Sequence, residues 1–512
     1  MNRSPSQLTF PPETNGETEA GLSVIRSLVQ AFNEAEIPYC HWKSNEHLTA
    51  SMLGLTDLDV LVDRGHHHEV QQALAACGFR SFRATAFAGY PAVEDHLALD
   101  EATGRMVHLH LHYRLTLGQK YLKGYRLPWE AEMLATRRRA EQYDIDVISP
   151  EAELLLLLVR DALKRRLRSR IAAGIGLRSK KDDFGREFAW LVERADRAAV
   201  LSLGLRLIGP GVEDCLTRLI DKGGRQEDRQ FFARKVRPAL KKYRTYGSVT
   251  AAILAATREI VWILGGLSRK RFRWAFPLRR VTPRGGIVVA FLGSDGSGKS
   301  SLSADAIFWL GGKLDVVPIY FGSGDGPGSL LRLPMQFARR LLQRGGVGGS
   351  GDSGNREGWR GTLRNIALVP WALSLSLEKH GKHKKMVRAR NRGLVVICDR
   401  YPQDQVKGFN DGLLLSHLSG SRSRMLKSFA AWEAKPYREA HRQAPDIVIK
   451  LLASPQVALS RRPEMSIDEI DRRIRAVRAM RFPPTTSVVE IDADRPLDEV
   501  VRTVRSLIWQ AV

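Results

Sequence analysis

Hydrophobic positions in the second half of the chain form short continuous runs, which recur at intervals from residue 287 onward. The stretches between them have the length and composition of helices. Continuous apolar strands that alternate with helices are typical of a parallel sheet covered on both faces. The pattern therefore predicts an α/β domain with a five-stranded parallel sheet. The predicted strands are 287–292, 316–321, 394–398, 447–452 and 488–491.

The first half of the chain is patterned differently. Residues 22–32 have helical spacing, whereas 57–62 (DLDVLV) and 106–113 (MVHLHLHY) have the patterns of strands. From Ser149 and Pro150, which form a favourable helix start, the pattern is mainly helical for more than 100 residues. The first half thus predicts a smaller α/β domain followed by a helical region.

A domain boundary is predicted at 279–286 (RRVTPRGG), where proline, glycine and arginine separate the two patterns. The polar first residues lack the apolar stretch of a signal peptide and predict a disordered tail. The predicted parts are a tail over 1–18, an α/β domain over 19–148, a helical region with a basic linker over 149–280, and the second α/β domain over 281–512.

One apolar stretch, 251–267 (AAILAATREIVWILGGL), has about the length of a membrane span. Arg258 and Glu259 lie at its centre, where each is costly in hydrocarbon, so the sequence favours a buried helix instead. The segment 268–280 (SRKRFRWAFPLRR) that follows mixes basic and aromatic residues. Peripheral contact with an anionic membrane is therefore the alternative interpretation.

The composition indicates that the chain binds an anionic partner. Its 80 Lys and Arg exceed its 55 Asp and Glu, which gives a formal net charge of +25. Nucleotides, acidic lipids and polyanionic polymers fit this charge, whereas nucleic acid is not favoured because no recognition motif accompanies it. The four cysteines are scattered without a C-x-x-C pair, which argues against disulfides and a zinc cluster. We expect a cytoplasmic protein, with a place at the inner face of the membrane left open.

The strongest chemical signal is the sequence GSDGSGKS at 293–300, between the predicted strand 287–292 and a segment compatible with a helix. Its glycines allow backbone N–H groups to surround a polyphosphate, and the positive end of the helix points at the same place. Lys299 can reach the outer phosphates, and the Ser300 hydroxyl can ligate Mg²⁺. The segment predicts a phosphate-binding loop for a nucleoside triphosphate.

Two further groups of residues belong with this loop. The strand 394–398 ends at Asp399 and Arg400, at the sheet edge where open α/β folds bind their ligands. Asp399 can hold Mg²⁺ and Arg400 can clamp an acceptor phosphate, although a surface ion pair is the alternative. The segment 454–478 is rich in arginine and predicts a helical hairpin that could close as a lid. Its i,i+4 pairs of acids and arginines are also compatible with ordinary helix ion pairs.

Together these motifs resemble the thymidylate kinase branch of the P-loop kinases. The resemblance covers about residues 285–512 and includes PDIVIKLLASPQVALSRR and VVEIDADRPLDEVVRTVRSLIW. It implies nucleotide binding by Gly293, Ser294, Asp295, Gly296, Ser297, Gly298, Lys299, Ser300 and Ser301. It implies that Lys299, Asp399, Arg400, Arg461 and Arg462 are catalytic, that Ser300 and Asp399 ligate Mg²⁺, and that Asp295 and Arg400 bind the acceptor.

The chain departs from the thymidylate kinase pattern at the acceptor. After Phe321 it reads FGSGDGPGS instead of an Arg-Glu-Pro-Gly-like turn, and after Tyr401 it reads PQDQVKGFNDG, without the residues that shape a thymine pocket. We expect the chain to bind ATP despite these changes, but we do not expect dTMP to be its acceptor.

The N-terminal α/β region resembles a nucleotidyltransferase-like domain, though on a shorter motif. Trp42, Lys43 and Ser44 are followed by Asp57 and Asp59, which share one face of a strand and could hold Mg²⁺. His110 stands where the resemblance implies a third acid. The candidate site is therefore Ser44, Asp57, Asp59 and His110.

Three interpretations of this region stay open at the level of the sequence. It is an active nucleotidyltransferase, a degenerate binding module, or a scaffold with exposed acids. His108, His110 and His112 share one face and could bind a transition metal, but a half-exposed strand needs no metal to carry them.

The sequence thus predicts an ATP-dependent, Mg²⁺-assisted phosphotransferase that acts on a phosphorylated small molecule, a nucleoside monophosphate or another metabolite. The alternatives are a non-catalytic ATP-binding regulator, for which membrane association is left open, and a nucleotidyltransferase that acts through its N-terminal domain. The oligomeric state is open and includes a homodimer.

Overall fold

The computed structural model describes residues 21–119, 121–164, 183–269, 276–322, 356–406 and 412–512. The predicted tail, most of the segment after Phe321 and residues 270–275 of the basic linker lie outside these ranges. The chain divides into two compact units. The N-terminal unit comprises Met1–Arg271 and Leu278–Arg280, and the C-terminal unit comprises Phe272–Pro277 and Val281–Val512.

The N-terminal unit is built on a mixed sheet of eight strands in the order β10-β3-β4-β5-β2-β1-β9-β8. A separate hairpin pairs β6 with β7. The strands are β1 (Tyr39–His41), β2 (Leu58–Val62), β3 (Arg80–Ala84), β4 (Val93–Asp100), β5 (Arg105–His112), β6 (Leu115–Gln119), β7 (Leu122–Leu127), β8 (Arg138–Ala140), β9 (Ile145–Val147) and β10 (Arg280–Val281).

Strand β5 lies at the centre of this sheet, parallel to β2 and antiparallel to β4. Its sequence alternates as predicted, but His108 and His112 are buried although the alternation suggested a half-exposed strand. Both ring nitrogens of His108 are hydrogen-bonded, to Asp57 and Asp95, which satisfies this side chain away from water. His112 Nε2 faces Asp59 at 3.4 Å, whereas its Nδ1 has no partner among the described residues.

Helices cover this sheet and form the second part of the unit. Helix α5 begins at Pro150, as its sequence predicts, and residues 151–159 are buried without exception because other helices surround them. The helices are α1 (Ser23–Glu34), α2 (Leu48–Met52), α3 (His67–Ala76), α4 (Glu130–Ala135), α5 (Pro150–Lys164), α6 (Asp183–Arg194), α7 (Arg197–Ile208), α8 (Glu213–Asp221), α9 (Gln226–Ala239) and α10 (Ser248–Leu267).

Helix α10 differs from its sequence prediction. Only Gly265 of this helix is buried, so the expectation of a buried helix is wrong. One side is attached to the β6–β7 hairpin, where the Arg258 guanidinium donates to the Tyr121 carbonyl at 3.2 Å. Large apolar side chains at helical spacing form a stripe that is exposed. The stripe consists of Val249, Ile253, Ile260, Ile263, Leu264 and Leu267.

In the described ranges, α10 is the one helix that is long and apolar enough to cross a membrane, with 6% of its apolar window buried. Length and composition alone support this statement. A single such helix is weak support for a membrane span.

The C-terminal unit has the predicted α/β fold. Its sheet has five strands, all parallel, in the order β12-β13-β11-β14-β15. Each predicted strand agrees with an observed one to within a residue at either end. The strands are β11 (Ile287–Gly293), β12 (Val316–Tyr320), β13 (Val395–Asp399), β14 (Ile447–Leu452) and β15 (Ser487–Asp492).

Six helices of the described chain accompany this sheet. They are α11 (Lys299–Gly311), α12 (Arg356–Asn391), α13 (Arg424–Arg442), α14 (Pro455–Arg461), α15 (Ile467–Ala479) and α16 (Leu497–Ala511). Strand β11 is central and buried along its whole length. Helix α11 is linked to α16 by a buried ion pair, in which the Arg505 guanidinium donates to both Asp305 oxygens at 3.0 and 2.7 Å. The loop between β11 and α11 is thereby fixed at both of its ends.

Candidate functional site

The loop between β11 and α11 has the backbone of a phosphate cradle. Gly296 and Gly298 adopt φ angles of +83° and +85°, which side-chain-bearing residues rarely adopt. A Cβ on Gly296 would also lie 2.7 Å from the Ala458 carbonyl oxygen, so only glycine fits there. Gly298 caps α11, whose first residue is Lys299. The positive end of the helix is thus directed into the loop.

Within the loop, Gly293, Ser294 and Ser297 are buried, whereas Ser300 and Ser301 are exposed. The Ser297 hydroxyl donates to the Ser294 carbonyl at 2.9 Å, which closes the turn. Ser301 makes no described side-chain contact at the loop, and its side chain lies in solvent.

Lys299 lies folded over the loop. Its ammonium group donates to the Ser294 carbonyl at 3.0 Å and lies 3.6 Å from an Asp295 oxygen. Burial, followed by the charge of Arg400, lowers the pKa of Lys299 to about 8. A polyphosphate at the loop would supply the negative charge that this lysine lacks.

Ser300, in the first turn of α11, lies beside Asp399, the last residue of β13. The Ser300 hydroxyl donates to Asp399 Oδ2 at 2.9 Å. Asp399 Oδ1 is buried and has no hydrogen-bond partner among the described residues. One carboxylate oxygen and one hydroxyl oxygen are suitable ligands for Mg²⁺, which favours oxygen donors and usually keeps several waters. The two predicted metal ligands are therefore compatible with such an ion.

Asp295 is the point at which the charged residues of the site meet. Arg400 Nη2 lies 3.6 Å from Asp295 Oδ1, and Arg473 donates directly to Asp295 Oδ2. Arg400 has a φ angle of +68°, and its backbone N–H donates to the Phe291 carbonyl at 3.0 Å. This backbone strain holds the guanidinium beside the loop, since the sheet fixes Asp399 immediately before it.

The two arginines expected in the lid lie in different surroundings. Arg461, at the end of α14, donates to the Gly296 carbonyl of the loop at 3.1 Å. Arg462 forms an exposed ion pair with Glu464 at 3.4 Å. Only Arg461 therefore contacts the phosphate loop directly, although the charge of Arg462 contributes to the lowered pKa of Lys299.

Arg473 belongs to the arginine-rich segment predicted to form a lid, but the sequence assigned it no individual role at the site. Its spacing from Glu469 indicates a helix ion pair, and it forms that pair at 2.5 Å, but its other nitrogen reaches Asp295. By contrast, Arg475 pairs with Asp471 at 3.1 Å along the helix and is 73% exposed. The capping box at Ser466 indicates where α15 begins but not which side of the helix faces the loop, so it does not separate the two arginines.

The structure also brings together some of the residues predicted for the N-terminal site. The Lys43 ammonium lies 2.7 Å from an Asp59 oxygen, and His110 Nδ1 lies 3.2 Å from the same oxygen. Asp57 pairs with His108 Nδ1 at 2.9 Å. Ser44 lies apart from this cluster, where its hydroxyl faces Glu187 at 3.5 Å.

Sequence reasoning missed Asp95, the third acid of this cluster. It lies on β4 directly opposite His110 in the antiparallel register. His108 Nε2 and His110 Nε2 lie 2.9 and 3.2 Å from Asp95 Oδ1, and Arg280 lies 2.9 Å from the same oxygen. Recognising the β4–β5 hairpin in the sequence would have placed this acid across from His110.

Opposing effects set the charges of this cluster. Burial alone would raise the pKa of Asp59, but Lys43 and hydrogen bonds from His110 and His112 hold it well below its ordinary value. Burial lowers the pKa of His112 to about 4. Two sets, Asp57 with His108 and His110, and Asp59 with His110 and His112, have ligand atoms close enough to hold a metal ion.

Comparison with known proteins finds relatives that are named for a ligand. No family model matches the chain. It is similar to the uncharacterized ATP-binding protein YghS of Escherichia coli (strain K12), with 29% identity over 222 residues, 42% of this chain and 89% of that protein. The uncharacterized ATP-binding protein YghR of the same strain is 26% identical over 222 residues, 42% of this chain and 83% of that protein. The likeness thus spans most of each relative and less than half of this chain.

Proposed function

We propose that the C-terminal unit is an ATP-dependent phosphotransferase, which moves the γ-phosphate of ATP to a phosphorylated small molecule with the help of Mg²⁺. The main observation in support of this proposal is that three kinds of group meet at one edge of the sheet. The glycine loop with Lys299 suits a triphosphate, Ser300 with Asp399 suits a divalent cation, and Asp295 with two arginines suits an anionic acceptor that bears hydroxyl groups.

ATP binding is the best supported part of the proposal. The left-handed glycines, the helix start and Lys299 form a cradle of hydrogen-bond donors that suits a polyphosphate. The relatives YghS and YghR are both named as ATP-binding proteins, which supports the same ligand here.

Phosphoryl transfer requires positioning and charge stabilisation more than covalent chemistry from the protein. Bound Mg²⁺ would neutralise charge on the outer phosphates, held through the Asp399 carboxylate and the Ser300 hydroxyl. Lys299 can exchange its carbonyl partner for the transferred phosphoryl group. Arg461 already reaches the loop and can stabilise the charge that spreads over this group in the transition state.

The acceptor-binding part of the proposal is based on Asp295 and the arginines that face it. A phosphate group would compete with the Asp295 carboxylate for Arg400 and Arg473 because it carries more negative charge and can accept several hydrogen bonds. Asp295 would then be released toward an acceptor hydroxyl. This exchange gives both residues a use in acceptor binding.

The test is an ATP-consumption assay of the full-length chain with Mg²⁺ against nucleoside monophosphates, sugar phosphates and other phosphorylated metabolites. At least one acceptor should raise ADP formation far above the background, and Lys299→Ala should nearly abolish it. We expect dTMP to be a poor acceptor, with kcat/KM well below about 10⁴ M⁻¹s⁻¹. Saturable ATP binding without turnover across the panel would favour the non-catalytic regulator instead.

A further inference from the structure

The N-terminal unit contains a cavity of about 600 Å³ that the proposed phosphotransferase does not use. Its wall is formed by the β6–β7 hairpin, by the end of α5 and by part of the Asp–His cluster. This cluster comprises Asp57, Asp59, Asp95, His108, His110 and His112. Its volume lies within the range of small-molecule pockets. Five basic side chains line it: Lys43, Lys123, Arg160, Lys164 and Arg280.

The acids of this cavity do not balance these five cations. Asp95 lines the cavity and pairs with Arg280 at 2.9 Å, and the adjacent Asp59 pairs with Lys43 at 2.7 Å. Among the described residues, no acid of the cavity wall is left for the other three cations, which come from two different elements. Arg160 has only a long ion pair, with Glu187 at 3.8 Å outside the wall, and neither Lys123 nor Lys164 has an ion-pair partner within the described ranges.

This arrangement is unfavourable while the cavity holds only water. Arg160 and Lys164 are four residues apart on one helix, where like charges repel each other. Burial, followed by repulsion from Lys43, Lys164 and Arg160, lowers the pKa of Lys123 to about 8. A multivalent anion would remove the repulsion and supply the missing hydrogen-bond acceptors.

The aromatic residues of the cavity make it more than a charged surface. Trp42 and Tyr90 line it, with the Lys43 ammonium 5.1 Å from the Trp42 ring centre and the Lys123 ammonium 5.3 Å from the Tyr90 ring centre. The Trp42 indole nitrogen is buried and has no hydrogen-bond partner among the described residues. A ligand with a planar or sugar-like part next to its charged part would fit both features.

We infer that this cavity binds a small metabolite with at least two phosphate groups, and that Lys123, Arg160 and Lys164 hold it without a metal ion. Metal independence follows from the pairing of the two acids at the cavity, since Lys43 and Arg280 already neutralise Asp59 and Asp95. A cavity of this size accepts a compact anion, whereas a nucleic-acid strand needs an extended groove. The inference is independent of the phosphotransferase, since all of these residues belong to the N-terminal unit.

The experiment is a calorimetric titration of full-length protein with inorganic pyrophosphate in EDTA, which removes divalent cations. Lys299→Ala is the background, so that the phosphate loop of the C-terminal unit contributes little. We expect one saturable site whose affinity falls as salt rises. Adding Lys123→Gln or Arg160→Gln should weaken binding about tenfold or more, because each removes a charge-assisted hydrogen bond.

Lys241→Gln is the matched control, since Lys241 is an exposed lysine of the same unit outside the cavity, and it should leave the affinity unchanged. Circular dichroism confirms that each variant is folded. The inference is overturned if pyrophosphate does not bind in EDTA, if it binds only after a divalent cation is added, or if the cavity and control variants bind equally. Tight binding of an oligonucleotide by a protein that ignores pyrophosphate would likewise overturn it.

Discussion

Arg473 and Arg475 show how two neighbouring arginines of one helix can differ in what they touch. Both form i,i+4 pairs with acids of α15, but only Arg473 also reaches Asp295 in the phosphate loop. Their common spacing made them equivalent in the sequence. The difference lies in which side of the helix faces β11, and only the tertiary structure determines that.

At Arg473 we predict a functional loss without a large loss of stability. Arg473→Ala should lower kcat/KM by roughly 10- to 100-fold, because a preorganised cation that faces the acceptor is removed. Arg475→Ala is the matched control and should stay within about twofold, since exposed helix pairs contribute little. Steady-state measurements of ATP turnover compare the two variants. Equal effects of the two substitutions would assign Arg473 a purely helical role.

A second prediction at this scale concerns Lys123, whose pKa is lowered from 10.5 to about 8 by burial and then by Lys43, Lys164 and Arg160, with Asp59 opposing them. Between these two pH values the unfolded chain keeps the lysine proton that the native state has released. The unfolded state then binds more protons, so this lysine makes stability rise with pH over that window.

Lys123→Gln should therefore stabilise the protein at pH 7, by an amount on the order of 1 kcal/mol after allowing for partial exposure. The advantage over the parent should shrink as the pH rises above 8, the native-state pKa of Lys123. Urea midpoints of both proteins at pH 7 and pH 9.5, in a buffer without phosphate, measure it. If the difference in urea midpoint between the two proteins does not change with pH, the lowered pKa of Lys123 is contradicted.

At the scale of elements, the sheet of the C-terminal unit could be predicted well from the sequence because its strands are buried on both faces. Burial of that kind produces continuous apolar runs, and the glycine loop marks which strand is central. The run 447–452 coincides with β14, and β11 extends the predicted strand by one glycine. The phosphate loop and Asp399 could be predicted for the same reason, because the loop follows β11 and Asp399 ends β13.

Other features could not be predicted because they depend on pairing between distant segments. The place of Asp95 depends on the antiparallel register of β4 with β5, to which no apolar pattern points. The exposure of α10 depends on which elements its apolar stripe meets, and composition alone suggested a buried helix. Hydrophobicity indicates that a face needs cover, but not which element or surface covers it.

Two ion pairs of α16 provide a direct comparison of buried and exposed contacts. Arg505 and Asp305 are 7% and 6% exposed, whereas Arg502 and Asp498, 3.1 Å apart, are 39% and 50% exposed. We predict that Arg505→Ala destabilises the C-terminal unit by about 3–5 kcal/mol because it leaves a buried carboxylate without its partner. Arg502→Ala should cost less than about 1 kcal/mol. Chemical denaturation measures both, and similar losses would disprove the contrast.

The exposed stripe of α10 leads to a prediction about membranes. It precedes a segment rich in basic residues, so we expect the protein to associate with vesicles that contain an anionic lipid. Ile260→Asp with Leu264→Asp should reduce co-sedimentation with these vesicles several-fold. Leu55→Asp changes another exposed leucine, 64% exposed and outside α10, and serves as the control. Binding that is unaffected by the double substitution would remove α10 from this role.

At the scale of the whole molecule, the chain forms two compact units with separate candidate sites. Every residue of the phosphate-loop site lies in the C-terminal unit, and the Asp–His cluster lies in the N-terminal unit. Sites in separate units are expected to respond independently to substitution.

We therefore predict that Asp57→Asn combined with Asp59→Asn leaves the ATP turnover of the full-length protein within about twofold of the parent. The double variant should show its effect in the N-terminal unit, where Lys43 and the histidines lose their carboxylate partners. Initial rates of ATP consumption, measured on protein whose fold is checked by circular dichroism, test this. A strong loss of turnover would mean that both units contribute to a single active site.

The ion pair between Asp305 and Arg505 has a consequence for the order in which the protein is made. Asp305 lies in the helix that carries the phosphate loop, and its partner follows 200 residues later. A nascent chain can therefore form the loop sequence long before it has the arginine that anchors the loop helix. Contacts of such long sequence separation form late. The ATP site would then mature only after residue 505 has been made, and a polypeptide released before that point would carry the loop without its anchor.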